Sequence, residues 1–192
     1  MGEGAAIDTE SGLVQGARQC ASPNQDERPP GCEPGLIVVH GISLPAGKFG
    51  GPWIDALFTN TLDPAAHPSF ADIAALRVSS HLLVRRDGGL VQYVPLHRRA
   101  WHAGQSSHCG RERCNDFSVG IELEGTDELA YEATQYEALA ALVQALRASY
   151  PSLRMAPVVG HSDIAPGRKT DPGPAFDWGL LAGLLEAGTA RG

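Results

Sequence analysis

The chain has 192 residues, 43% of them apolar and 19% charged, a balance that fits one globular domain and excludes a disordered chain. Lys and Arg number 15 against 22 Asp and Glu, so the net charge is −7 and the basic footprint of a nucleic-acid or anionic-membrane binder is missing. No apolar run reaches the roughly 18 residues of a membrane span.

The first residues, Met1-Gly2-Glu3-Gly4-Ala5-Ala6-Ile7-Asp8-Thr9-Glu10, are acidic and hold no apolar stretch of the kind a secretory leader carries. Ala6 stands where a myristoylation signal wants Ser or Thr. The expected compartment is the cytoplasm, where Cys20, Cys32, Cys109 and Cys114 are expected as reduced thiols. A structural zinc on all four stays open as an alternative, although only the second pair has a zinc-like spacing. Residues 1–35 are rich in Gly, Pro, Ser and charge and read as an irregular arm, with the domain itself over 36–188.

Leu36-Ile37-Val38-Val39 is a continuous apolar, mostly β-branched run, as in a fully buried strand, and it ends at His40. A Gly/Pro-rich loop covers 44–52 and a short helix 53–60. Asp87-Gly88-Gly89 between apolar runs at 81–86 and 90–94 predicts a hairpin, because such a turn needs positive φ. Residues 117–123 read as another buried strand. A helix starts at Thr134, with Thr134 and Glu137 as a capping box and Leu139, Leu142, Val143 and Leu146 on one face. Tyr150-Pro151 stops it. A short strand at 157–160 precedes His161, and a helix over 176–187 closes the chain. Strands and helices mixed along one chain predict a single α/β domain with a central mixed β-sheet flanked by helices.

Seven histidines offer candidate chemistry. His40 and His161 each follow a predicted strand, where sheets keep their sites, although one such histidine alone reads as structural. Asp171 follows in the Pro/Gly-rich segment Arg168-Lys169-Thr170-Asp171-Pro172-Gly173-Pro174, which can fold a carboxylate back toward His161. Two imidazoles and one carboxylate suit zinc with a fourth position open for water. Lys169 could set a cation beside a developing oxyanion, or be a solvated loop lysine. Glu122 is the candidate proton shuttle. Val119, Ile121 and Leu123 share one face of its strand, so Glu122 takes the other with Gly120 and Glu124, and alternation leaves open whether that face is solvated. His81 reads as structural, and His102 as a residue that lines a groove or meets a ligand but stays outside the metal set. His67, His97 and His108 read as loop residues.

Longer blocks carry a resemblance. They include Val38-Val39-His40, Phe49-Gly50-Gly51-Pro52-Trp53, Val91-Gln92-Tyr93-Val94-Pro95, Ala100-Trp101-His102-Ala103-Gly104, Gly110-Arg111-Glu112-Arg113-Cys114-Asn115-Asp116, Gly120-Ile121-Glu122-Leu123-Glu124-Gly125 and Arg168-Lys169-Thr170-Asp171-Pro172-Gly173-Pro174. From about Gly12 to Trp178 the chain resembles the zinc-dependent type 2 N-acetylmuramoyl-L-alanine amidases, above all their cytoplasmic branch in cell-wall recycling. The resemblance implies a zinc groove at one side of the sheet, with Zn2+ held by His40, His161 and Asp171. Glu122 would be the general base that activates water and then protonates the leaving amine, and Lys169 would stabilise the oxyanion. Arg77 and Arg113 would hold the acidic stem peptide, and Trp101 would form part of the groove wall. The substrate implied is an anhydromuropeptide, cut between the lactyl group of its muramic acid and L-Ala, by a chain expected to be a monomer. The same resemblance implies a lowering of the muropeptides that signal β-lactamase induction. Two rival readings remain: a broad-specificity amidase acting on intact peptidoglycan, and a non-catalytic peptidoglycan-recognition module. Gly41 stands where relatives usually carry Asn, and Ser69 where a larger aromatic is common. Both departures are expected to touch affinity or loop packing more than chemistry.

Overall fold

Four two-residue strands open the chain: β1 (Ile7–Asp8), β2 (Leu13–Val14), β3 (Arg18–Gln19) and β4 (Gln25–Asp26). They belong to a computed structural model that describes residues 6–189. The long strand β5 (Leu36–Ile42) follows, then α1 (Trp53–Phe58), β6 (Leu82–Val84) and β7 (Leu90–Gln92). Three more short strands, β8 (Arg99–Ala100), β9 (Ser107–His108) and β10 (Arg111–Glu112), lead to β11 (Ser118–Glu124) and the main helix α2 (Ala133–Ser149). β12 (Val158–Gly160), α3 (His161–Ile164) and α4 (Trp178–Thr189) complete the order. The six-stranded sheet runs β12-β5-β11-β6-β7-β3. Only β6 and β7 pair antiparallel within it, so the sheet is mixed, as predicted.

Both faces of the central strands are covered. Ile37, Val39, Leu82, Val84, Val119, Ile121 and Leu123 pack on Leu139, Leu142, Val143 and Leu146 of α2 and Leu181 of α4. On the other face, Leu83 and Val91 pack on Ile54, Leu57 and Phe58 of α1, while Leu36 and Val38 meet Cys114, Phe117 and Ile164. Each such fully buried aliphatic side chain contributes about 1.5–3 kcal/mol. Burial on two faces explains the near-continuous apolar strands, and it decides the question that alternation left open: the Glu122 face is buried.

Three local expectations are corrected. β5 does not end at Val39; its pairing with β11 continues through His40 and Gly41 to Ile42, so His40 lies inside the strand. The capping pair of α2 is Glu132 and Gln135, not Thr134 and Glu137: the Glu132 N–H donates to Gln135 Oε1 at 3.0 Å, while the Thr134 hydroxyl donates outside the helix to the Arg86 carbonyl. α4 starts at Trp178, because Phe176 turns into the core instead.

The segment before β5 is laced into the fold. β3 forms one edge of the sheet and β4 pairs with β8. The buried guanidinium of Arg28 donates to the carbonyls of Leu96, Asn115, Asp116 and Ser118 at 2.9–3.3 Å. Residues 1–5, on which most of the leader reading falls, lie outside the described residues. No helix of the described residues is long and apolar enough to cross a membrane. All four cysteines are free, and among the described residues they do not form a metal-holding group.

Candidate metal centre

Parallel register builds the site. Glu122 of β11 pairs with His40 of β5 on one side and with Leu83 of β6 on the other. Directly paired residues point to the same face, so the sheet itself sets the carboxyl beside the imidazole. The neighbouring strand β12 ends at Gly160, and His161 opens α3 next to it. The Ser162 N–H donates to the Asp171 carbonyl at 3.0 Å, which draws the loop back to His161. The Tyr131 hydroxyl holds the next residue, donating to the Pro172 carbonyl at 2.9 Å. A Cβ at Gly41 would lie 2.4 Å from that hydroxyl, so the bare backbone there makes room for the contact.

Three potential ligand atoms meet. His40 Nδ1 lies 2.9 Å from His161 Nδ1, and Asp171 Oδ2 lies 3.3 Å and 3.1 Å from the two nitrogens. Among the described residues this is the group of ligating side chains placed to hold a metal ion. Three corners of a tetrahedron with metal–ligand distances of about 2 Å would stand about 3.3 Å apart, so the triangle fits zinc. The chemistry of the donors fits as well. His161 Nε2 faces the Ala103 carbonyl at 3.2 Å, and a carbonyl only accepts, so the ring's proton is held there. With the proton on Nε2, His161 turns a bare Nδ1 toward Asp171, and two such acceptors at hydrogen-bond distance suit a cation between them. His40 Nε2 is likewise engaged, by His102 Nδ1 at 2.8 Å.

Electrostatics separate the two carboxyls. Burial alone would raise Asp171, but the imidazoles of His161 and His40 beside it outweigh that effect and hold the carboxyl well below the usual carboxylate range. Burial, reinforced by the charge of Asp171 and opposed by Lys169, pushes Glu122 well above that range. Its Oε2 is buried without a hydrogen-bond partner among the described residues. Burial also pulls His40 down to about 4, against the pull of Asp171. Carboxyls driven apart in this way mark a site prepared for proton transfer.

A profile of the N-acetylmuramoyl-L-alanine amidase family matches residues 30–174. The chain belongs to that family. The amidase is 62% identical over 180 residues to the 1,6-anhydro-N-acetylmuramyl-L-alanine amidase AmpD of Escherichia coli strain K12, covering 94% of this chain and 98% of that protein. Its fold matches the crystal structure of a selenomethionine AmpD derivative with a TM-score of 0.89 at 60% identity, covering 93% of this chain and 98% of the other. It also matches the N-acetylmuramyl-L-alanine amidase AmiD of Escherichia coli, solved in complex with the substrate anhydro-N-acetylmuramic acid-L-Ala-D-gamma-Glu-L-Lys. There the TM-score is 0.55 at 29% identity, over 90% of this chain and 60% of that one. Family membership makes the chain a hydrolase.

The amidase brings most of the expected residues together. His40, His161, Asp171, Glu122, Lys169 and Trp101 line one cavity of about 210 Å³, with Leu76 and Val78 on its wall. Lys169 is exposed there and makes no salt bridge to a described residue. The Trp101 indole N–H donates to Asp26 Oδ1 at 3.2 Å. Arg77 and Arg113 are not in the lining. The Arg77 guanidinium turns back to the carbonyls of Ala75 and Leu76, at 3.1 and 3.2 Å. Arg113 has a left-handed backbone (φ 62°) and lines a separate cavity of about 410 Å³ with Gln105 and Arg168. Ser69 is exposed in a short helical turn at Pro68–Phe70 and donates its N–H to His67 Nδ1. His81 is structural, as expected: its Nδ1 accepts from the Gly120 N–H and its Nε2 donates to the Arg98 carbonyl, each at 3.0 Å. Sequence reasoning missed the group behind His40, formed by His102, Ser118 and Gly120. The available signal was alternation, which puts Ser118, Gly120 and Glu122 on one face.

Proposed function

We propose that this chain hydrolyses the amide between anhydro-N-acetylmuramic acid and the L-Ala of its stem peptide, with zinc held by His40, His161 and Asp171. The carrying observation is the convergence of these ligand atoms within 4.8 Å of one another, in the cavity that also holds the buried carboxyl of Glu122. The name of the Escherichia coli relative and the substrate in the AmiD complex support the choice of bond. The family reading takes 36–188 as the amidase domain and 1–35 as its arm, in a cytoplasmic monomer.

Bound there, zinc would polarise the scissile carbonyl and bring the pKa of a water toward about 7. Glu122 takes the proton from the attacking water, since its raised pKa suits a group that must accept and then release a proton. The same carboxyl returns the proton to the departing alanine nitrogen. Lys169 donates to the oxygen on which negative charge develops. Trp101, Leu76 and Val78 offer the apolar wall against which the sugar and lactyl group lie. Arg77 and Arg113 serve the acidic stem outside this cavity.

Incubation of the purified chain with anhydromuramyl-tripeptide and with its non-anhydro counterpart, followed by mass spectrometry, tests the proposal. Free tripeptide from the anhydro substrate alone is expected. Equal cleavage of both would move the protein to the broad-specificity reading, and cleavage of neither by zinc-loaded protein would sink the enzymatic one.

A further inference from the structure

Behind His40, on the side away from Asp171, a buried chain of hydrogen bonds runs through the protein. His40 Nε2 lies 2.8 Å from His102 Nδ1, His102 Nε2 lies 3.0 Å from Ser118 Oγ, and Ser118 Oγ lies 2.6 Å from the Cys114 carbonyl oxygen. His40, His102 and Ser118 are all buried.

The direction of the chain follows from its last member. A carbonyl only accepts, so the single hydroxyl hydrogen of Ser118 is committed to Cys114. Ser118 Oγ must therefore accept from His102 Nε2. Among the described residues the ring nitrogens of His102 meet His40 and Ser118 and no carboxylate that would offset a buried charge, so the ring is neutral and carries one proton. That proton sits on Nε2, and Nδ1 is left as a lone pair. His40 Nε2 must then donate to it, which leaves His40 Nδ1 bare and turned toward His161 Nδ1 and Asp171.

We infer that His102 and Ser118 are positioning residues that fix the tautomer of His40 and so present Nδ1, rather than Nε2, to the metal. The inference rests on the zinc reading for its purpose, but the tautomer itself can be observed without metal. Neither residue touches the ligand triangle. Ligating histidines depend in this way on partners of their remote nitrogen, and loss of such a partner typically costs about 10- to 100-fold in metal affinity. A backbone feature makes the arrangement possible: a Cβ at Gly120 would lie 2.5 Å from His102 Cγ and 2.7 Å from its Nδ1, so the ring occupies the space a side chain would take.

Long-range proton–nitrogen NMR of the full chain, with and without zinc, tests the tautomer directly. His40 is expected to carry its proton on Nε2 in both states. Zinc affinity, read by competition with a chromophoric chelator, is expected to fall about 10- to 100-fold in His102→Phe, which fills the space without an acceptor. His102→Asn, whose Oδ1 can stand where Nδ1 stands, is expected to restore most of it. Ser118→Ala changes little volume and is expected to weaken binding in the same direction, which keeps the test alive if His102→Phe does not fold. A proton on His40 Nδ1 in the unsubstituted chain would overturn the proposal, as would folded His102→Phe and Ser118→Ala proteins that hold zinc as tightly as the parent. An unsubstituted chain with the Nε2 proton that takes up no zinc would leave the relay standing and remove the zinc reading instead.

Discussion

Glu122 and His40 face each other across adjacent parallel strands, paired in register at the centre of the sheet. Their spacing is thus a property of the sheet and not of a loop. On the proposed reading, a proton-handling group and a ligating group mounted on paired central strands would lose little order when substrate arrives.

Replacing Glu122 with Gln keeps the shape and removes the charge. Turnover is expected to fall about 10²- to 10⁴-fold, as for loss of a general base, with zinc content unchanged. Stability should move the other way. Because burial raises the Glu122 pKa above its unfolded value, the unfolded chain releases this proton first, and the parent protein loses stability as pH rises from about 4.5 toward the folded pKa. Metal-free Glu122→Gln should therefore melt higher than the parent at pH 7, with a gap that closes toward pH 4. An unchanged melting temperature at pH 7 would show that the carboxyl is not held in an unfavourable setting.

Acid should weaken the metal-free fold through its buried histidines. His40 is drawn down to about 4 by burial, and His81 to about 3 by burial and Arg28. Unfolded imidazoles take up protons near pH 6.5, so between that pH and the folded values the unfolded state binds more protons and stability falls as pH falls. Calorimetry of Glu122→Gln in chelator from pH 7 to pH 4, where the opposing effect of that carboxyl is removed, should show a steadily dropping melting temperature. A flat profile would contradict neutral buried rings.

Lys169 is exposed at the cavity and makes no salt bridge to a described residue, which suits a residue used on substrate rather than in folding. Lys169→Ala is expected to lower kcat by about 10²- to 10³-fold with an unchanged melting temperature. A change in KM alone would assign it to binding.

Gly120→Ala touches no proposed ligand, yet its Cβ would press on the His102 ring. Zinc affinity is expected to fall while secondary structure by circular dichroism stays. Full affinity would mean that the ring can shift freely, and would weaken the case for a rigid second layer.

Arg28 should matter to stability although it lies in the arm. Arg28→Met leaves four part-buried carbonyls without their shared donor. A loss of at least about 2 kcal/mol is expected, which for a chain of this size is a drop of about 5 °C or more in Tm. A smaller drop would mean that water reaches those carbonyls.

The sequence reading reached the central strands, the hairpin and α2 because apolar runs and a helical period survive in any context. It placed the end of β5 too early because a histidine followed by glycine looks like a strand end, whereas the pairing with β11 carries both inside. The true cap of α2 was hidden because Glu132 and Gln135 act through reciprocal hydrogen bonds that a neighbouring Thr-x-x-Glu pattern imitates. At the site, the meeting of His40, His161 and Asp171 is readable from a histidine after each apolar run and a Pro/Gly loop, although His40 lies within its strand. The buried state of Glu122 was not, since it depends on what covers the second face. His102 was unreadable in its role because nothing local to Trp101-His102-Ala103 announces a distant imidazole.

His40 and His161 are 121 residues apart in the chain, and Asp171 comes later still. The carboxylate and one of the two imidazoles thus leave the ribosome after the strands that form the sheet's middle. A nascent chain that already displays β5 and β11 has one of the three ligating side chains, His40, and lacks His161 and Asp171. On the proposed zinc reading, metal capture would report that the segment carrying His161 and Asp171 has docked, and a chain interrupted before that point would be inert rather than partly active.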